Sequence, residues 1–180
     1  IVTIIGGRDY HPITAEVGGF SRIPNKRELD ALMEKLVNAR NDFIETAKLF
    51  FKLDYPVLKR NAHYFALEKS NKYPVIEGRM SCFGTYCVEN KDYLQYFKEH
   101  IEKGSASKYV LFQRKPFFVG ARARINVNYE FLSEEAQRYY VKSNNPYTNN
   151  IAQATEMLHF LDRCIEILKS LNPQPEVIPK

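Results

Sequence analysis

From Leu29 onward, apolar residues recur at three- and four-residue spacing through Leu32, Met33, Leu36, Val37, Phe43, Ile44, Ala47, Phe50 and Phe51. Glu34, Lys35, Asn38, Asn41, Glu45 and Lys48 take the other side. That period predicts an amphipathic helix on the order of 35 Å long. Its start is marked, because Asn25 can cap the first turn while Glu28, three residues on, reaches back to it. Its end falls near Asp54-Tyr55-Pro56, since the residue before a proline avoids the α region. Arg40 interrupts the stripe: either its stem packs while its head snorkels to water, or it joins a buried ion pair at an interface. A second run at the same spacing, Ile151, Ala154, Leu158, Leu161, Ile165 and Leu168, predicts a last helix that opens after Asn144-Asn145-Pro146-Tyr147-Thr148-Asn149-Asn150 and closes at Asn172-Pro173.

Between the long helices the pattern shortens. The β-branched run Ile1-Val2-Thr3-Ile4-Ile5 predicts a strand, and the glycine pairs Gly6-Gly7 and Gly18-Gly19 that follow predict tight turns with positive φ. His63 to Leu67, Val75 to Cys82 and Lys108 to Phe112 are aromatic or β-branched and predict a small sheet. Asp92 to Lys103, with Tyr93, Leu94, Phe97 and Ile101 on one face and Gly104 as a stop, predicts a shorter helix. Pro116 stands where a first helical turn tolerates proline, ahead of a run of small residues that lets another backbone come close. Ser133-Glu134-Glu135-Ala136 opens one more helix. The fold class expected is mainly α with a minor antiparallel sheet.

The chain has 180 residues, 44% of them hydrophobic and 26% charged, enough for a real core and too little biased for a disordered chain. Its 26 Lys plus Arg against 21 Asp plus Glu give a net charge of +5. The longest cationic stretches are pairs, Lys26-Arg27, Lys59-Arg60 and Arg114-Lys115, which is the pattern of a solvated surface rather than of a nucleic-acid binding face. No stretch approaches the ~20 apolar residues of a membrane span, and a soluble, cytoplasmic chain is expected. Three cysteines, Cys82, Cys87 and Cys164, are read as reduced thiols. The start at Ile1 and the linker-like Asn172 to Lys180 suggest a piece of something longer.

Few residues offer chemistry. Cys82 and Cys87 enclose four residues, and a structural zinc site would need two further close-spaced ligands, for which only Cys164 and four scattered histidines remain. No serine sits in a Gly-x-Ser-x-Gly elbow, and neither glycine pair fits a phosphate loop. His11 is the histidine in unusual surroundings, between Arg8-Asp9-Tyr10 and Pro12, with glycine pairs on both sides. It either satisfies a turn carbonyl or meets a partner or cofactor where glycines let backbone approach closely. His159 is expected to be packed or at the surface, while His63 and His100 carry no signal.

Three blocks carry a resemblance. Gly6-Gly7-Arg8-Asp9-Tyr10-His11-Pro12 with Gly18-Gly19-Phe20 resembles the Gly-Gly-Arg-x-x-His-Pro…Gly-Gly motif of nickel-iron hydrogenase large subunits. Val119-Gly120-Ala121-Arg122-Ala123-Arg124-Ile125-Asn126 resembles that family's Val-Gly-Ala-x-Ala-Arg-x-Asn block, and Asn144 to Ala154 resembles the segment that follows it. Order and spacing match over essentially the whole chain, and the likeness is greatest to soluble cytoplasmic hydrogenases that reduce a nicotinamide or deazaflavin carrier. Arg122 departs from the family, which usually has an apolar residue there.

The resemblance implies that residues 1–180 form a central domain of such a subunit, a long-helix bundle lacking both metal-binding Cys-x-x-Cys ends. None of the three cysteines matches a nickel ligand. In the intact enzyme it implies reversible oxidation of dihydrogen at a nickel-iron centre, with electrons passing to the iron-sulfur clusters of a small subunit, then to carrier-reducing subunits. In this chain it implies scaffold without bound cofactor, inactive alone. By the same likeness His11, Arg8, Gly18 and Gly19 face the small subunit near its proximal iron-sulfur cluster. The related quinone-site subunit of respiratory complex I and a basic helical nucleic-acid-binding module are the alternatives.

Overall fold

A computed structural model of the chain describes residues 1–58, 62–82 and 86–173. Lys59-Arg60, the stretch Phe83-Gly84-Thr85 between two cysteines, and the tail from Gln174 to Lys180 lie outside the described residues. The chain divides into two units, residues 1–43 with 160–180, and residues 44–159.

The first unit opens with helix α1 (Val2–Gly6), followed by the strands β1 (Ala15–Glu16) and β2 (Gly19–Phe20), which pair as an antiparallel hairpin. Helix α2 (Lys26–Lys52) begins here, and the last part of helix α6 (Asn149–Ser170) ends here. The capping box is in place: the Glu28 N–H donates to Asn25 Oδ1 at 3.0 Å and the Asn25 N–H to Glu28 Oε2 at 3.0 Å. Two of the first turn's orphan donors are thereby satisfied. Leu29 and Leu32 are buried on the expected stripe, whereas Val37 and Phe51 fall off its edge and are exposed. Arg40 resolves as an ion pair, its Nε 2.7 Å from Asp162 Oδ1 of α6, partly open to water.

The second unit holds the sheet. Strands β3 (His63–Glu68), β4 (Arg79–Cys82), β5 (Tyr86–Val88) and β8 (Phe117–Phe118) lie in the order β5-β4-β3-β8, and the β3–β8 pair is parallel, so this sheet is mixed where an antiparallel one was expected. Helix α3 (Tyr93–Tyr96) leads into β6 (Phe97–Ile101), which pairs antiparallel with β7 (Lys108–Phe112). Helices α4 (Ala121–Asn128) and α5 (Glu134–Gln137) and the first part of α6 complete it. Strand β3 buries both faces. Phe65 joins Cys82, Val88, Phe97 and Phe112 in one cluster, while Tyr64 and Ala66 face Ala123 of α4 in another. The alternation follows from the two-residue period of a strand. The small Ala121 and Ala123 are what let α4 lie close on β3, as the run of small residues implied.

Four local expectations are corrected. The run Ile1 to Ile5 is one turn of helix, not a strand; Gly7 ends it at φ 81°, and its last carbonyls are taken by the Thr14 hydroxyl (2.6 Å to Ile5 O) and the Ile13 N–H (2.8 Å to Gly6 O). Those partners outweigh a β propensity that is only a weak preference. The predicted helix over Asp92 to Lys103 survives for one turn, after which Phe97 to Ile101 pair with Lys108 to Phe112. Phe97 is drawn into the aromatic cluster, and Gly104, at φ 86°, shapes the connecting turn. Val75 and Ile76 are exposed, and β4 begins only at Arg79. Pro116 precedes strand β8, so α4 starts at Ala121, with Gly120 at its N-cap.

Candidate functional site

The loop between α1 and α2 carries the first block. Gly7 and Gly18 have positive φ, as the turns require, and a Cβ at Gly7 would stand 2.9 Å from Thr14 Cγ2. Gly18 and Gly19 face open space, with nothing within 4 Å of an added Cβ. His11 itself has φ 51°, uncommon for a residue other than glycine, and it precedes a proline, which restricts its backbone further. Its carbonyl accepts from Arg8 Nε at 2.6 Å, and its ring meets Tyr10 edge-on at 4.1 Å. Arg8 and His11 are thus brought together, with His11 exposed to water. Tyr10, Ile13, Val17 and Phe20 are exposed around them, Tyr10 to 73%. Of the two readings of His11, the one in which its side chain satisfies a turn carbonyl finds no such bond among the described residues: its own carbonyl accepts from Arg8, and the residue is exposed.

The second and third blocks are fastened to one another. Asn128 Nδ2 donates to Leu67 O of β3 at 2.9 Å, and Asn126 Nδ2 donates to Ser143 O at 3.1 Å while its Oδ1 accepts from the Tyr140 hydroxyl at 2.9 Å. Tyr64 donates to Asn144 O at 3.1 Å, and Asn145 caps the 3-10 turn Pro146–Thr148 that leads into α6. Arg124 donates to both oxygens of Glu156, at 2.7 and 2.6 Å, and the Tyr73 hydroxyl adds a third bond to Glu156 at 2.6 Å. Glu156 raises the Arg124 pKa through these bonds, and burial, then Glu156, raises that of Tyr73 well above the usual phenol range. Sequence reasoning missed Tyr73, Glu156 and the buried Thr155; the one signal available was a carboxylate at helical spacing with Ala152 and His159, on the buried face of α6. His159 is packed, as expected, and its Nδ1 accepts from the Ser133 N–H at 3.0 Å.

A cavity of about 390 Å³ opens beside these blocks, lined by Phe118 to Arg122, Arg124, Pro146, Asn149 and Gln153. Arg122 is 3% exposed, its guanidinium lying 4.2 Å from the centre of the Tyr64 ring. The position that the resemblance implies to be apolar is filled here by a cation lying over an aromatic ring.

Among the described residues the cysteines form no metal site. Cys82 lies in the aromatic cluster with its sulfur 3.6 Å from His63 Nδ1, and burial pushes its thiol up. Cys87 is exposed, and Cys164 is half-buried on α6. Among the described residues no three His, Cys, Asp or Glu converge as metal ligands, so the residues present do not fit a nickel-iron centre. No helix among them is long and apolar enough to cross a membrane.

No model of a known protein family matches the chain. Among curated proteins it is 28% identical to the alpha chain of sulfhydrogenase 1 from Pyrococcus furiosus, over 93% of this chain and 41% of that one. It is 25% identical to a chain of the F420-non-reducing hydrogenase vhc of Methanococcus voltae, over 94% and 40%. The fold matches a chain of an NAD+-reducing [NiFe]-hydrogenase with a TM-score of 0.74 at 17% identity, over 93% of this chain and 44% of that one. It matches the Ni-Fe-Se hydrogenase of D. vulgaris Hildenborough with a TM-score of 0.65 at 19% identity, over 99% and 48%. The chain is a homologue of hydrogenase alpha subunits, shares the fold of nickel-iron hydrogenases, and spans about 40% of the length of the curated relatives it matches.

Proposed function

We propose that residues 1–180 act as a central domain of a hydrogenase large subunit, supplying scaffold and a partner-facing loop while the nickel and iron are held by residues other than those of this chain. The alignment with hydrogenase alpha subunits over 93% of the chain carries this reading. The complete enzyme then oxidises dihydrogen reversibly in the cytoplasm and passes electrons to an iron-sulfur small subunit, then to carrier-reducing subunits.

The α1–α2 loop is the part of this chain that meets the small subunit. Its support is physical: a strained His11 held by Arg8, Gly18 and Gly19 open to an approaching backbone, and an apolar surround of Tyr10, Ile13, Val17 and Phe20. Backbone strain is kept where surrounding structure enforces it, and it gathers at working surfaces. Co-purification of the chain with an iron-sulfur small subunit tests the proposal, alongside nickel analysis and hydrogen-dependent dye reduction by the chain alone. Association that His11→Ala weakens at least tenfold, with no nickel and no dye reduction in the isolated chain, is the expected result. Stoichiometric nickel or hydrogen uptake in the isolated chain refutes the scaffold role, and association indifferent to His11→Ala refutes the loop assignment.

A further inference from the structure

Arg122 is a buried cation with no carboxylate paired to it among the described residues. Its Nε and Nη1 are enclosed and have no acceptor among those residues. The guanidinium rests on Tyr64, which itself stacks on Phe118 at 5.3 Å. A buried guanidinium without a counter-charge is strongly destabilising unless an anion completes it.

The neighbouring cation does not help or compete. Arg124 is already matched by both oxygens of Glu156, so the two arginines beside the cavity leave one net positive charge. The cavity lies at the N-terminus of α4, where Gly120, at φ 101° and with nothing within 4 Å of an added Cβ, leaves the backbone uncovered, and the helix dipole adds to the positive potential. Its other walls are the apolar Phe118, Val119 and Pro146 and the amides Asn149 and Gln153. At about 390 Å³ it exceeds what a bare inorganic ion fills and falls within the range of small-ligand sites.

We propose that this cavity seats a single carboxylate against Arg122, with the apolar remainder of the carboxylate-bearing group along Phe118, Val119 and Pro146. One net charge favours a monoanion over a phosphate dianion, and the apolar walls favour an organic acid over a halide. The site stands whether or not the chain serves a hydrogenase.

Butyrate, N-acetylglutamate amide, phosphate and chloride are titrated into the chain at constant ionic strength, with Tm and the Arg122 Nε–H resonance in 1H–15N spectra as readouts. The carboxylates are expected to shift the resonance saturably and to raise Tm by about 3–5 °C at tenfold excess over Kd. Phosphate should bind at least tenfold more weakly, and Arg122→Leu should fold and lose the response. Tighter binding of butyrate assigns the site to a free organic acid; tighter binding of the capped glutamate assigns it to an acidic side chain of another polypeptide segment. Absence of a saturable shift in the wild-type resonance, equal binding of phosphate, or a response that persists in Arg122→Leu overturns the proposal.

Discussion

Replacing Glu156 tests whether the second and third blocks are held together as the hydrogen bonds indicate. The Glu156 side chain is 7% exposed and accepts three bonds, two from Arg124 and one from Tyr73. Glu156→Ala removes the acceptor at which the buried Tyr73 hydroxyl points, which costs about 1–3 kcal/mol. It also strips Arg124 of its partner. That side chain is 41% exposed and can turn to water, so its share is about 1 kcal/mol rather than the 3–5 kcal/mol of a fully buried pair. The sum is about 2–4 kcal/mol. Glu156→Gln keeps an oxygen for Tyr73 but turns an amide toward Arg124, for about 1–2 kcal/mol, and Tyr73→Phe costs about 1 kcal/mol. Urea unfolding followed by far-UV circular dichroism, with an unchanged slope, should show the midpoint falling by about 1–2 M for Glu156→Ala. Combining Tyr73→Phe with Glu156→Ala should cost less than the sum, because both substitutions remove the same Tyr73–Glu156 bond. Strict additivity, or Glu156→Gln as damaging as Glu156→Ala, would refute the network.

Asn25→Ala should destabilise by about 1 kcal/mol through loss of the α2 cap, read in the same unfolding assay, whereas Asn25→Asp should hold. Gly78→Ala should cost about 2 kcal/mol or more, since an added Cβ would stand 2.7 Å from the Glu68 carbonyl oxygen, a backbone atom that cannot swing aside. In native protein iodoacetamide should modify Cys87 first and Cys82 only on unfolding; mass spectrometry finding Cys82 labelled early would contradict its burial. Burial raises the Tyr73 and Tyr140 phenols above their unfolded values, so folding favours the protonated forms. Their contribution to stability should therefore be constant below about pH 10 and fall as pH rises beyond it, and Tyr140→Phe should soften that fall in a Tm–pH series.

The long helices were legible because their information is local. The Asn25–Glu28 box and the stripe from Leu29 onward need no distant partner to be recognised, and the structure returns both. The hairpin β6–β7 was hidden for the opposite reason. Tyr93, Leu94, Phe97 and Ile101 fit a helical face as well as a strand, and only the cluster of Phe65 and Phe112, far away in sequence, decides between them. The same holds for Ile1 to Ile5, whose helical turn depends on Thr14 and Ile13. At the candidate site the glycine turns and His11 could be read from the first block, whereas Glu156 could not, because a carboxylate on a helix looks alike whether it meets water or Arg124.

The polar residues of the second and third blocks have a structural explanation that requires no catalytic duty. Asn126, Asn128, Asn145 and Arg124 each bond a backbone carbonyl, a capping N–H or a buried carboxylate, and together they fix α4 between β3 and the start of α6. Such bonds are costly to lose one at a time, which makes a block of sequence recognisable without making it reactive. Arg122 stands apart from that set. It fills an apolar position with a charge, its neighbours supply rings instead of acceptors, and a cavity opens beside it. A scaffold gains nothing from that arrangement, since a leucine would pack there without a desolvated charge. The arrangement is intelligible when the charge is completed by an acid from outside the fold, which sets Arg122 apart from the hydrogen-bonded asparagines of these blocks.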